Sequence, residues 1–264
     1  MSGLLRVEHD GPFARVTLAR PGVRNAFNAA LIEELRSAFE ALAAEPPETL
    51  RGVVLAGDGP TFSAGADVAW MRAAMSLGIE ENERDATAMQ AMFAAIDACP
   101  VPVIARVQGA ALGGGMGLCA VSDIVVATAD ATFGFTETQL GIIPAVISTF
   151  VLPKIGPSHA RALFTTGQRF DAARAQRIGL VHEVVDDDGA LDAAVEARLE
   201  ELRAAGPTAI RAAKSLVRSI HELGPDAARN HTPGLIARQR TSAEGQEGLT
   251  AFLEKRPPTW RESG

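Results

Sequence analysis

The chain has 264 residues, 47% hydrophobic and 22% charged, with two cysteines, no tyrosine and a formal net charge of −7. That is the make-up of a soluble globular protein, long enough for one large α/β domain or a domain with an appendage, and not of a disordered or collagen-like chain. The negative charge disfavours non-specific nucleic-acid binding, and the absence of tyrosine leaves acid–base chemistry to carboxylates, His, Lys, Cys or backbone groups.

In chain order, Phe13 to Leu18 alternates with period two and predicts a strand. Pro21-Gly22 turns the chain, and Asn28 caps a helix running to about Ala44, with Leu31, Leu35, Phe39 and Leu42 on one stripe. Pro46-Pro47 stops it, and Arg51 to Ala56 reads as a buried strand ending at the turn Gly57-Asp58-Gly59-Pro60. The acidic run from Gly78 to Asp85 reads as a solvated loop or helix start, followed by a helix through Met89, Phe93 and Ile96. Strands at Val103 to Val107 and Ile124 to Ala127 flank a glycine-rich run, and this alternation implies parallel pairing. After about Asp188 only helices are predicted: Leu191 to Ala205, Pro207 to Leu223, and a last one through Phe252. Their apolar residues need cover from the core or from another subunit.

Cys99 and Cys119 are too few for a disulfide framework or zinc site, and no histidine pair has metal-ligand spacing. A reducing, cytoplasmic setting without a metal is the expectation. The chain opens on charge before any apolar run forms, unlike a secretory signal. Its longest apolar stretch, Gly109 to Val121, is glycine-rich and falls below the roughly 18 residues of a membrane span.

Charge is absent between Arg106 and Asp123, and between Asp130 and Lys154 only Glu137 carries any. Glu137 reads either as a surface glutamate on a short loop or as a desolvated carboxyl suited to exchange protons near neutrality. The glycines at 113–115 and 117 either let strand and helix pack closely or bring a ligand against backbone N–H groups at a helix start. They match neither the dinucleotide fingerprint nor a phosphate loop, and no Gly-x-Ser-x-Gly elbow occurs. Phe62 to Asp67 is a second small, glycine-bearing loop after a strand.

Four segments in order, FSAGAD at 62–67, the GGG run with Ser122-Asp123, FGFTETQLGIIPA at 133–145 and EGQEGLTAFLEKRPPTW at 244–260, resemble the crotonase (enoyl-CoA hydratase/isomerase) superfamily. The resemblance implies a spiral α/β core of ββα turns over about 1–190. It implies a helical region over about 191–264 for oligomerisation and pocket cover, and assembly as a trimer or dimer of trimers. It also implies an acyl-CoA thioester substrate, with coenzyme A part of the substrate and no separate cofactor. The thioester carbonyl would sit between the backbone N–H groups of Ala66 and Gly114, and one such donor is worth on the order of 10²–10³ in rate. Contacts to the CoA moiety would map to Arg24, to Ala64, Ala66, Asp67 and Val68 in one loop, and to Phe252 and Lys255, the last two from a neighbouring subunit. Asp67 and Asp123 match positions with structural hydrogen-bonding roles.

Hydratases of this family carry two glutamates. One matches Glu137; the other would fall at position 117, which is Gly117. Ala145 stands where some dienoyl isomerases and aroyl-CoA dehalogenases place an aspartate. Hydration of a 2-enoyl-CoA by Glu137 alone is the leading expectation, the sequence looking most like bacterial methylglutaconyl-CoA hydratases. Proton shuttling by Glu137 in a 3-enoyl-CoA isomerase, and a CoA-binding paralogue without turnover, are the alternatives. An anionic distal group would need a cation, for which Arg72, Arg84 and Arg161 are available.

Overall fold

In a computed structural model, which describes residues 3–261, the chain opens as a hairpin. Strand β1 (Leu5–Asp10) turns at Gly11 and runs antiparallel to β2 (Phe13–Leu18). Helix α1 (Ala29–Ala43) follows; the Asn28 side chain accepts the Leu31 N–H as its cap, and Leu31, Leu35, Phe39 and Leu42 are buried as the stripe predicts. Then come β3 (Gly52–Gly57), α2 (Val68–Ala74), α3 (Ile79–Asp97), β4 (Val103–Val107), β5 (Ala110–Leu112) and α4 (Gly114–Val121). They are followed by β6 (Ile124–Thr128), β7 (Thr132–Gly134) and α5 (Ala145–Thr166), which is kinked at Gly156 between Pro153 and Pro157. Last come β8 (Arg169–Asp171), α6 (Ala172–Arg177), β9 (Glu183–Val185), α7 (Asp188–Ala204), α8 (Pro207–Leu223), α9 (Pro225–Thr241) and α10 (Ala243–Glu254).

The strands form two sheets. Six lie in the order β1-β2-β3-β4-β6-β9, parallel from β2 onward, and three in the order β5-β7-β8. The chain steps from the first sheet to the second after β4 and again after β6, and each step leads into a helix. A parallel bridge between Ser63 and Ala111 sets the segment after β3 beside β5 in the same way. Three ββα turns therefore stack into the spiral that the crotonase resemblance implies.

Alternation along the strands decides which helix covers which face. Val53, Leu55, Val103, Ala105, Val125 and Ala127 join the large core with α1, α3, α4 and α5. Val54, Ile104 and Val126 face the other way, onto Leu191, Val195 and Leu199 of α7. A sheet covered on both faces needs unbroken apolar strands, which is why Gly52–Gly57 shows no polar alternation.

The helical tail differs from its expectation in one respect: the last helix is two. Ser242 ends α9, and its side chain accepts the Gly245 N–H to cap α10. Of the two readings open to the acidic run Gly78 to Asp85, the structure shows the helix start, fixed by the Gly78 N–H donating to Glu81 Oε2 at 3.0 Å. Val217, Phe252 and Leu253 are 72%, 79% and 78% exposed, so α8 and α10 keep apolar faces that the described residues do not cover.

Asp123 joins three elements. Its Oδ2 accepts the Val103 N–H (2.7 Å) and the Lys214 ammonium (2.6 Å), and Lys214 also donates to the Val101 carbonyl. Replacing Asp123 with alanine takes the carboxylate from a half-buried ammonium, which keeps only the Val101 carbonyl, and leaves the Val103 N–H unpaired. It is expected to lower stability by about 2 kcal/mol, read as a lower urea midpoint at unchanged slope.

Candidate active site

Two loops and one short helix meet at the carboxyl ends of the parallel strands. The loop after β3 is held by Asn25, which is buried at φ 54°. Its side chain accepts the Arg20 N–H and donates to the Asp58 and Thr61 carbonyls at 2.9 and 2.8 Å. Phe27 then bridges Ala66: the Phe27 N–H donates to Gly65 O, and Asp67 N–H donates to Phe27 O. In a parallel bridge those two bonds flank Ala66, so its own N–H points away from Phe27.

The second loop is the glycine run. Gly113 N–H donates to the Gly134 carbonyl, and Gly113 takes φ 49°, ψ −114°, open to glycine alone. Gly114 is the first residue of α4, where helix geometry supplies its N–H with no partner. Among the described residues, neither Ala66 N–H nor Gly114 N–H donates to a protein acceptor. A methyl on Gly65 (φ 86°) would lie 2.8 Å from Leu112 O and 3.4 Å from Gly114 N, so the two loops touch. One on Gly114 would meet the Phe27 ring at 2.5 Å.

Glu137 opens a 3-10 turn, Glu137–Leu140, anchored by Thr138 Oγ1 donating to Phe164 O and Gln139 Nε2 to Gly167 O, both 2.8 Å. A methyl on Gly113 would stand 3.4 Å from Glu137 Oε1, so the carboxyl lies against the Gly113–Gly114 peptide. Its Oε2 is buried without a hydrogen-bond partner among the described residues. Burial pushes its pKa above the ordinary glutamate value. Of the two readings open from the sequence, the desolvated carboxyl is the observed one.

Ala66, Gly114 and Glu137 all line one cavity of about 390 Å³, floored by Phe27 and walled by apolar side chains of α2, α3 and the segment 140–147. Met89 lies on the helix predicted through Phe93 and Ile96, whereas Trp70 and Met71 carry no motif and join the wall only because α2 and α3 line the same cavity. The residues expected from the resemblance to contact CoA are distributed around the site. Ala64 also lines the cavity, and Arg24, exposed at φ 54°, accepts the Ala64 N–H on its carbonyl, which sets a cation beside that loop. The Asp67 side chain is committed to structure: it caps α2 through the Ala69 N–H and pairs with Arg20, both at 2.8 Å. Val68 is exposed at the start of α2. Phe252 and Lys255 lie on and just after α10, exposed and outside the cavity lining.

Position 117 lacks more than a carboxylate. A Cβ there would come within 2.6 Å of both Ile147 Cγ2 and Phe93 Cζ. Apolar side chains fill the space a second glutamate would need, and no group of three or more His, Cys, Asp or Glu able to hold a metal occurs among the described residues.

Backbone donors poised over a cavity, beside one desolvated carboxyl, define a site for stabilising a carbonyl oxyanion while moving a proton. The family model for enoyl-CoA hydratase/isomerase matches residues 8–263, and the chain belongs to that family. The 2,3-dehydroadipyl-CoA hydratase of Escherichia coli is 34% identical over 93% of this chain and 94% of its own length. An enoyl-CoA hydratase structure from Shewanella pealeana superposes with a TM-score of 0.92 at 38% identity, covering 97% of this chain and 96% of that one. Pseudomonas aeruginosa AtuE superposes at 0.94 and 39% identity, over 98% and 99%.

Gly117→Ala is expected to cost about 1–3 kcal/mol through overpacking. Gly117→Glu is expected to fold only when Phe93 and Ile147 are shortened with it; thermal melts of the single and triple variants check this.

Proposed function

We propose that this acyl-CoA enzyme hydrates a 2-enoyl-CoA with Glu137 as its one acid–base group. The observation that carries this is the half-buried Glu137 carboxyl, its Oε2 buried without a hydrogen-bond partner among the described residues, lying against the peptide whose Gly114 N–H meets no protein acceptor among them. The thioester oxygen accepts from Ala66 and Gly114. Glu137 takes a proton from water as the water oxygen bonds to C3, and the C2–C3 π pair moves into the thioester as an enolate. The enolate collapses by taking that proton back from Glu137 at C2, and one carboxyl serving both steps gives syn addition. Backbone donors at the start of α4 bear the negative charge where it develops. The hydratase names of the E. coli and S. pealeana relatives support the direction.

The methylglutaconyl chain expected from the sequence ends in a carboxylate. Arg72, Arg84 and Arg161 are exposed and none lines the cavity, so hydration is proposed without that acid-terminated chain. Phe93 and Ile147 over Gly117 favour a second reading, 3-enoyl-CoA to 2-enoyl-CoA isomerisation, because proton transfer from C2 to C4 needs one carboxyl and no held water. In either reading the CoA moiety lies along Ala64 to Val68 beside Arg24. The uncovered faces of α8 and α10 are shared between copies in a trimer or dimer of trimers, which brings a neighbour's Phe252 and Lys255 to the CoA. Two buried, unpaired cysteines support a cytoplasmic setting.

Offering crotonyl-CoA and a 3-enoyl-CoA while following conjugated-thioester absorbance separates the readings. Loss of absorbance from the first, with uptake of solvent oxygen, is expected; gain from the second alone would select isomerisation. Binding without either would select the paralogue without turnover.

Glu137→Gln is expected to lower kcat roughly 10²-fold or more while sparing CoA-ester binding. Because the working base is the carboxylate, kcat/KM should fall on acidification at a pH above the ordinary glutamate value of about 4.3. A carboxyl with a raised folded-state pKa favours folding where it is protonated, below its unfolded value, and that advantage is gone once the pH has risen through the folded value. At neutral pH the buried charge therefore costs stability, and Glu137→Gln should melt at or above the wild-type temperature.

A further inference from the structure

The far wall of the cavity, away from the glycine loops, is polar at only two residues besides the Glu137 turn: Asn82 and Asp85, both on α3. They lie three residues apart, with Met89 four further on, so all three share one helix face. The Asn82 amide is fully committed, its Nδ2 donating to the carbonyls of Ala74, Leu77 and Gly78 at 3.4, 3.1 and 3.1 Å. Those bonds hold the α2–α3 connection in place and leave only the Asn82 oxygen to accept.

Asp85 is half-buried and makes no hydrogen bond or ion pair within the described residues. Among the residues lining the cavity the ionisable ones are Glu137 and Asp85, both acids; no Lys, Arg or His is present. Arg84, next along α3, points about 100° around the helix from Asp85 and is exposed. The polar part of this wall is thus made of acceptors, set among Trp70, Met71, Ala74 and Met89. Apart from the Trp70 indole N–H, this wall has no uncommitted donor and no cation, so a second carboxylate brought against it would lose its hydration and meet a like charge without a cationic partner in return.

We propose that Asp85 is a specificity-determining residue, so that the enzyme takes acyl chains with a neutral distal end and rejects ω-carboxylated ones. This deepens the acyl-CoA reading of the site and rests on it.

The test compares trans-2-hexenoyl-CoA with its ω-carboxylated counterpart, trans-2-hexenedioyl-CoA, which share chain length and differ in distal charge. Wild type is expected to favour the neutral ester in kcat/KM by roughly tenfold or more. Asp85→Asn should narrow that ratio several-fold and Asp85→Lys should reverse it, with thermal melts confirming that both variants fold. A wild-type preference for the dioyl ester, or a ratio that neither variant moves, overturns the proposal. Calorimetric binding of the unreactive hexanoyl-CoA and adipoyl-CoA reads the same discrimination without chemistry. Selective binding of hexanoyl-CoA with no turnover would sustain the role of Asp85 and overturn the proposed reaction instead; equal binding of the two by wild type would overturn the role of Asp85.

Discussion

The site depends on the contact between two backbone segments at Gly65 and Gly114. With a side chain at 65, the Leu112 carbonyl would be 2.8 Å away; with one at 114, the Phe27 ring would be 2.5 Å away. Only without both can the loop after β3 and the start of α4 come close enough for Ala66 and Gly114 to face one cavity. The hydrogen bonds of Asn25 and the bridge through Phe27 hold the first loop, and the bond from Gly113 to Gly134 holds the second. In the proposed reaction, donors fixed in this way need no reorganisation when charge appears on a thioester oxygen, which is the physical source of the catalytic worth assigned to them.

Glu137 shows the opposite economy. Its oxygen Oε2 is buried without a partner, a condition that disfavours the charged form and works against the fold. The surroundings tolerate it because the 3-10 turn is tied down by Thr138 and Gln139, the two residues after Glu137, rather than by the carboxyl itself. A group that contributes nothing to its own anchoring is free to change protonation without loosening the loop. The Phe93 and Ile147 contacts at Gly117 continue the same pattern, since they keep a second charge out of a wall that could not solvate it.

How far the sequence alone carried the description depends on whether a signal was local. The α1 stripe and its Asn28 cap, the β3 and β4 strands and the isolation of Glu137 are patterns within a few residues, and the structure reproduces them. Strand β1 carries no periodic signal because its side chains are mostly exposed, and among the described residues it pairs only with β2. The three short strands of the second sheet carry only three residues each, too few for periodicity to register. Helix α2 buries nothing fully, yet it supplies Trp70 and Met71 to the cavity. The break at Ser242 lies within a run that is helical on both sides, and only the cap shows it. Gly117 was legible as a missing carboxylate; that its space is already filled is a tertiary fact.

Charge is where local and global readings diverge most. The arginines at 72, 84 and 161 looked able to meet a distal carboxylate, because in one dimension a nearby cation is simply nearby. In three dimensions all three are exposed outside the cavity lining, and the same acidic run that seemed merely solvated turns Asp85 inward. A chain of net charge −7 that handles a polyanionic thioester therefore divides the task. In the proposed reaction, neutral backbone donors take the charge that chemistry creates at the oxygen, Arg24 stands by the loop outside, and the acyl wall carries Asp85. Specificity of this kind is a difference of affinities, set by what the wall repels as much as by what the floor accepts. An uncharged wall would bury a hydrocarbon chain equally well but would leave its acid-terminated analogue less strongly excluded.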